Sequence, residues 1–120
     1  MHALHHARSS AKKFGGEPEE YLQFHAWFDE SKNHLHDVRH RALRHHSLGI
    51  EQLVAKFGEV FVNSVGKTVP VQYIGEQHVT EDLGCIPTFA DWMRGMQLQK
   101  WMSKTGRYNP GGLITKTTKL

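Results

Sequence analysis

The chain has 120 residues, 38% of them hydrophobic, a mean hydropathy of −0.55 and a formal net charge of +3 with its ten histidines neutral. That is room for one modest core, with no apolar run long enough to cross a bilayer and too small a positive excess to argue nucleic-acid binding from charge alone. The single cysteine, Cys85, excludes an internal disulfide framework and a cysteine-built metal motif, so any metal is to be held by nitrogen and oxygen.

The opening MHALHHARSS has no apolar h-region of a secretory signal, and a cytoplasmic protein is expected. Leu4, Ala7, Ala11 and Phe14 recur at helical spacing, which predicts a helix over 2–14 stopped by Gly15 and Gly16. His2 and His6 share one of its faces. A second helix is expected from Pro18, with Glu17, Glu19 and Glu20 opposing its dipole. Tyr21, Leu22, Phe24, Trp27 and Phe28 make it the aromatic centre of the core. Within it His25 and Asp29 stand four apart, close enough to bond to each other or to share a cation.

His34 to Ser47, HLHDVRHRALRHHS, holds five histidines and reads as a helix capped by Asn33 and interrupted or ended by Gly49. At roughly 100° per residue, Leu35, Val38 and Ala42 point together and form its apolar stripe. His34 and His45 border that stripe on one side and His46 on the other. His36 and His40, with Asp37 and Arg44, fall on the wetter side, so one helix does not bring all five rings to one ligand.

Ile50, Leu53, Val54 and Phe57 form a further stripe closed by Gly58. The pattern then turns β-branched: Val60 to Asn63 and Val69 to Ile74, separated by SVGK, predict a hairpin at about 60–74, with Pro70 marking an edge strand. Gly75 is expected to end it, and GEQHVTEDLG to follow as a short helix with His78 and Asp82 four apart and Glu81 adjacent. Thr88 and Asp91 resemble a capping box for a last helix carrying Phe89, Trp92, Met93, Met96 and Trp101, a greasy face suited to a core or a subunit interface. Residues 103–120 read as a basic extended tail. The expected fold is mainly α (α+β): one compact helical domain over 1–102 with a small hairpin, then the tail.

Imidazoles paired with a carboxylate or a second imidazole one turn away suit a first-row metal, and converging helices are one way to assemble such a site. The candidate ligands are His25, Asp29, His40, His45, His46, His78 and Asp82, with His6 a further candidate. The cofactor is a divalent ion, with zinc, iron and manganese not distinguished. Such an ion can activate water and polarise a phosphoryl oxygen, while Arg39, Arg41 or Arg44 holds the phosphate. This is the chemistry of helical His-Asp hydrolases, although the one adjacent dyad, His36-Asp37, lies on the wetter side. There is no P-loop, dinucleotide fingerprint, zinc-finger spacing or repeat, and nothing marks Cys85 as an activated nucleophile.

HHARSSAKKFGG, WFDESK, RHRALRHHSLGI, NSVGKTVPV and IGEQHVTEDLGCIPTFADWM together resemble a family of short, uncharacterised proteins of phages and bacteria over about residues 4–102. The resemblance implies a common fold and no established activity. It implies recurrent positions at His5, His6, His25, Asp29, His40, His45, His46 and His78, which gives His40 more weight than its place on the helical wheel. The residues themselves support two functions: a small divalent-metal-binding protein with a buried His/Asp site, acting as a phosphoesterase, or a non-enzymatic phage-related assembly or nucleic-acid-associated protein whose histidines organise packing and whose basic tail binds a partner. Expected partners are a homo-oligomer, a phage-related assembly or nucleic acid at the tail, with no membrane, and the expected location is the cytoplasm, host cytoplasm or virion.

Overall fold

A computed structural model describes residues 2–105. Helix α1 spans Ala3–Phe14, and the chain leaves it through Gly15 and Gly16 at φ of +91° and +81°, a region that strains any residue with a Cβ. The exposed helix end is closed from outside: Asn63 Nδ2 donates to Phe14 O at 3.1 Å and the Tyr21 hydroxyl to Gly15 O at 2.7 Å. Pro18–Tyr21 is a 3-10 turn, and α2 follows at Leu22–Asp29.

As expected, α2 is the aromatic centre. Tyr21, Phe24, Trp27 and Phe28 are buried, each fully buried large side chain contributing about 1.5–3 kcal/mol relative to exposure. Phe24 meets Phe57 and Phe61 edge-on with ring centres 4.9 and 5.3 Å apart, the arrangement that aromatic quadrupoles favour. Phe57 closes α3, Ser47–Phe57, and Phe61 lies on β1, Val60–Val62. The sheet is the expected antiparallel hairpin, β1 against β2 (Thr68–Pro70), with Phe61 opposite Val69.

The second β-branched run was expected to extend to Ile74. It stops at Pro70, and α4 occupies Val71–Leu83. Val71, Ile74, Gly75, His78 and Val79 are all buried, so the run also carries a helical period, and packing selects it. Gly75 does not end an element. It sits in mid-helix where a Cβ would meet Ile50 and Leu53 at 3.1 Å, so its small size lets α3 and α4 approach closely.

The continuous histidine helix is not formed. Glu30–Asn33 is a 3-10 turn rather than a cap, residues 34–37 have no regular helix, Val38–Leu43 is another 3-10 turn, and α3 starts only at Ser47. Two side chains impose the breaks. Asp37 accepts from the Arg39 N–H at 2.8 Å and caps the short turn, and His46, in extended backbone, accepts from the Gly49 N–H at 2.9 Å and caps α3. The helical wheel therefore fails here: Leu35 and Val38 are exposed and His40 is buried. Gly49 lies inside α3 rather than ending a helix.

The described residues cluster as two units, one running to Phe89 and the other beginning at Ala90. In the second, the expected long helix is short: α5 spans Phe89–Met93 and gives way to a turn at Arg94 and Gly95, with a separate 3-10 turn at Lys100–Met102. Neither element has a fully buried residue, and a helix of five residues is marginal by itself. The expected tail lies almost entirely outside the described residues.

A Cβ on Gly49 would lie 1.8 Å from the Arg44 carbonyl oxygen, a backbone atom that a rotamer change does not relieve. We predict that Gly49→Ala lowers unfolding stability by at least the ~1–3 kcal/mol typical of overpacking, read as a shift of the urea midpoint, whereas Gly58→Ala, with open space around it, suffers only the strain of its positive φ.

Candidate metal centre

Four side chains from three places in the chain converge beside Phe28. Asp29 ends α2, His45 immediately precedes α3, and His78 and Asp82 stand one turn apart on α4; one ligand atom of each lies within 4.8 Å of all the others. His45 Nε2 is 2.9 Å from Asp82 Oδ2, His78 Nε2 is 3.2 Å from the same oxygen, and His78 Nε2 is 3.7 Å from Asp29 Oδ1. Ligands about 2.1 Å from a tetrahedral ion are about 3.4 Å from one another, so these separations bracket the edge of such a shell. The imidazoles are fully buried, Asp82 is 1% exposed and Asp29 16%, which leaves Asp29 as the group nearest water.

A chain of hydrogen bonds fixes the protons behind His78. Gln77 Nε2 donates to His6 O and to Glu81 Oε1, both at 3.0 Å, so the amide oxygen is the atom that faces Ser10. Ser10 gives its one hydroxyl proton to that oxygen at 2.6 Å and must therefore accept at 2.7 Å from His25 Nε2–H. Burial, with the nearby His78 and His6 rings, lowers the His25 pKa to about 2. Its Nδ1 is thus bare and accepts from His78 Nδ1–H at 2.9 Å. Burial, opposed by Asp82 and reinforced by His6 and His45, likewise lowers the His78 pKa to about 4. His78 is neutral with its proton on Nδ1, and its Nε2 lies 3.2 Å from Asp82 Oδ2 and 3.7 Å from Asp29 Oδ1. That nitrogen makes no hydrogen bond to any described residue.

His6, from α1, holds the other side of Asp82. Its Nδ1 is 2.7 Å from Glu81 Oε1 and its Nε2 3.1 Å from Asp82 Oδ1. Burial disfavours charge on this ring, but its bonds to Asp82 and Glu81 outweigh burial and raise its pKa. Burial likewise pushes the Asp82 carboxyl up, yet bonds from His45 and His6 and the closeness of His78 hold it far below the usual range. Ser9 donates to Glu81 at 2.5 Å, and Arg41 Nη2 lies 3.8 Å from Asp82 Oδ1. Phe28 stacks on His78 with ring centres 4.4 Å apart, so the cluster has an apolar wall.

Of the ligands expected from sequence, Asp29, His45, His78 and Asp82 meet. His25 sits behind His78, bonded to it and to Ser10 and not to Asp29. His40 is buried against Ser31, with Nδ1 2.7 Å from the hydroxyl. His46 is occupied by the Gly49 N–H and by the Ala42 and Leu43 carbonyls. His2 caps α1 at the surface, accepting from the Leu4 N–H, while His34 and His36 are exposed. The His36-Asp37 dyad stands in water, where Asp37 pairs with Arg39, and so supplies no His-Asp hydrolase centre. Arg44 packs over Trp27 and pairs with Glu30. Arg41 alone of the three expected arginines adjoins Asp82. Ser9, Ser10 and Gln77 escaped the sequence reading. Their one available signal is register: Ser9 and Ser10 lie three and four residues after His6, and Gln77 directly precedes His78.

Fold and cluster define a mainly α-helical protein built around a buried group of histidines and carboxylates. The model of the family described as Domain of unknown function (DUF6915) matches residues 1–102, and the chain belongs to that family. No curated protein and no solved structure matches it. Among the described residues no helix is long and apolar enough to cross a membrane.

The lowered histidine pKa values set a pH dependence for the metal-free protein. Below pH 6.5 the unfolded chain protonates His25 and His78 while the folded chain does not until about pH 2 and 4. The unfolded state then binds more protons, so stability falls as pH falls, by up to about 1.4 kcal/mol per pH unit for each ring. His6, with its raised pKa, contributes stability that is gained as pH falls towards 6.5 and is complete below it, so it offsets part of the fall between pH 7 and 6 and none of it at lower pH. Urea midpoints at pH 7, 6 and 5 are expected to decrease in that order, and a flat series would contradict the proton arrangement.

Proposed function

We propose that this protein binds a divalent transition-metal ion through Asp29, His45, His78 and Asp82. The observation that carries the reading is the bare Nε2 of His78, buried and within 3.2 and 3.7 Å of two carboxylate oxygens. A lone pair so close to a carboxylate is repulsive at low dielectric, and a cation between them reverses the sign. The His25 bond to Nδ1 is the outer partner that a metal-bound imidazole ordinarily has. Two nitrogens and two oxygens suit zinc, iron or manganese. In this reading His25 is a positioning residue and His40 and His46 hold the surrounding chain.

The use of such an ion that best fits the neighbouring residues is hydrolysis of a phosphate ester. A bound divalent ion would make water a nucleophile near neutral pH, and Arg41, 3.8 Å from Asp82 Oδ1, would hold a phosphoryl oxygen. The water oxygen bonds to phosphorus, the ester P–O bond breaks, and the water proton ends on the departing alcohol.

Metal analysis of tag-free protein incubated with zinc, iron(II) or manganese is expected to give one ion per chain. His78→Ala and Asp82→Asn lose it, His25→Ala weakens it by about 10- to 100-fold, and His46→Ala keeps it while losing roughly 1 kcal/mol of stability with the helix cap. Wild-type protein that takes up none of these metals and sits in a stable larger assembly refutes the reading in favour of an assembly role.

For hydrolysis, metal-loaded protein should release p-nitrophenol from p-nitrophenyl phosphate. Arg41→Ala should slow that release by about 10- to 100-fold, the equivalent of one charge-assisted hydrogen bond of ~1.5–3 kcal/mol, with metal content unchanged. Equal rates for the two proteins would remove Arg41 from the phosphate site.

A further inference from the structure

The ligands Asp29 and His45 flank residues 30–44, most of the longest stretch of the first unit without an α-helix or a strand, residues 30–46. Within it Ser31 and His40 are buried and bonded to each other, while Leu35, Val38 and Leu43 are exposed. Arg44 pairs with Glu30, donates to the Trp27 carbonyl and lies over the Trp27 ring at 4.1 Å, which ties the last residue of the stretch to the end of α2. Arg41 lies 3.8 Å from Asp82 Oδ1, and the Ala42 and Leu43 carbonyls meet the His46 ring.

We infer that metal binding latches this stretch: the ion joins Asp29 to His45 and thereby controls whether residues 30–44, with the exposed Leu35, Val38 and Arg39, are held or released. The inference rests on the metal reading above. It follows from the topology of the ligands, because two of them, His78 and Asp82, belong to one turn of α4 and stay together when the stretch opens. The other two, Asp29 and His45, lie outside α4, where the stretch joins α2 and the chain leading into α3. An opening that parts Asp29 or His45 from α4 must break the coordination, so its population falls with metal concentration as mass action requires. The device makes a surface segment respond to metal supply without a change in the helical core.

Limited trypsin digestion tests it, because Lys32, Arg39, Arg41 and Arg44 lie within the stretch and Lys67 in the hairpin loop serves as an internal reference. Digestion is followed by mass spectrometry with chelator or with zinc, and zinc stoichiometry is measured on the same samples. Where cleavage tracks the open population, zinc at 100-fold over its Kd should slow cutting after Arg39 and Arg41 by about 100-fold relative to Lys67. One zinc bound per chain with an unchanged ratio of cleavage at Arg39 and Lys67, or with equal slowing at both, overturns the latch and leaves the metal reading standing. No zinc bound overturns both.

Discussion

A carboxylate with 1% exposure organises this molecule. Asp82 remains ionised because His6 and His45 bond to its two oxygens, with His78 and Arg41 beside it. An ion of this kind without partners costs several kcal/mol in a protein interior. Its partners come from α1, from the chain just before α3 and from α4 itself, so satisfying one buried charge settles how those parts meet. The aromatic core supplies the larger share of apolar burial, and the polar cluster adds a further constraint on register, since displaced rings would leave the charge unpaired.

The cluster also shows how neutral groups acquire direction. Gln77 has two acceptors before its amide nitrogen and therefore presents its oxygen to Ser10. Every later proton in the chain through His25 to His78 follows from that orientation. Ordered in this way, the groups behind His78 turn an ordinary buried imidazole into a preorganised donor, with Phe28 excluding water from its face. The same order explains why neighbouring histidines differ. His45 and His46 are adjacent, yet His46 takes an extended backbone to cap α3 and its ring is used up by local carbonyls and an N–H, while His45 reaches Asp82.

Much of the architecture was legible in the chain. Helical periodicity marked α1 and the stripe of α3, paired glycines and Gly58 marked their ends, aromatic density marked α2 as the core, and β-branched runs around SVGK marked the hairpin. These signals are local: they depend on spacing, φ restrictions and side-chain size, which act within a few residues. The misreadings are local signals overruled from a distance. Val71 to Ile74 suits a strand and becomes helix because its helical face packs inward, and HLHDVRHRALRHHS has helical spacing but is broken by side chains that cap its own backbone.

From sequence alone came a mainly α-helical protein with a short hairpin, and a set of imidazoles and carboxylates with the right chemistry and the one-turn pairing of His78 with Asp82. Only the tertiary structure decided which of those groups share a centre. It drew together Asp29, His45, His78 and Asp82, placed His25 behind His78, and left His34 and His36 in water. The physical reason is that convergence depends on where separate elements cross, and that is set by packing and by the demand that a buried charge find partners. Neither is written in the spacing of residues along any single helix.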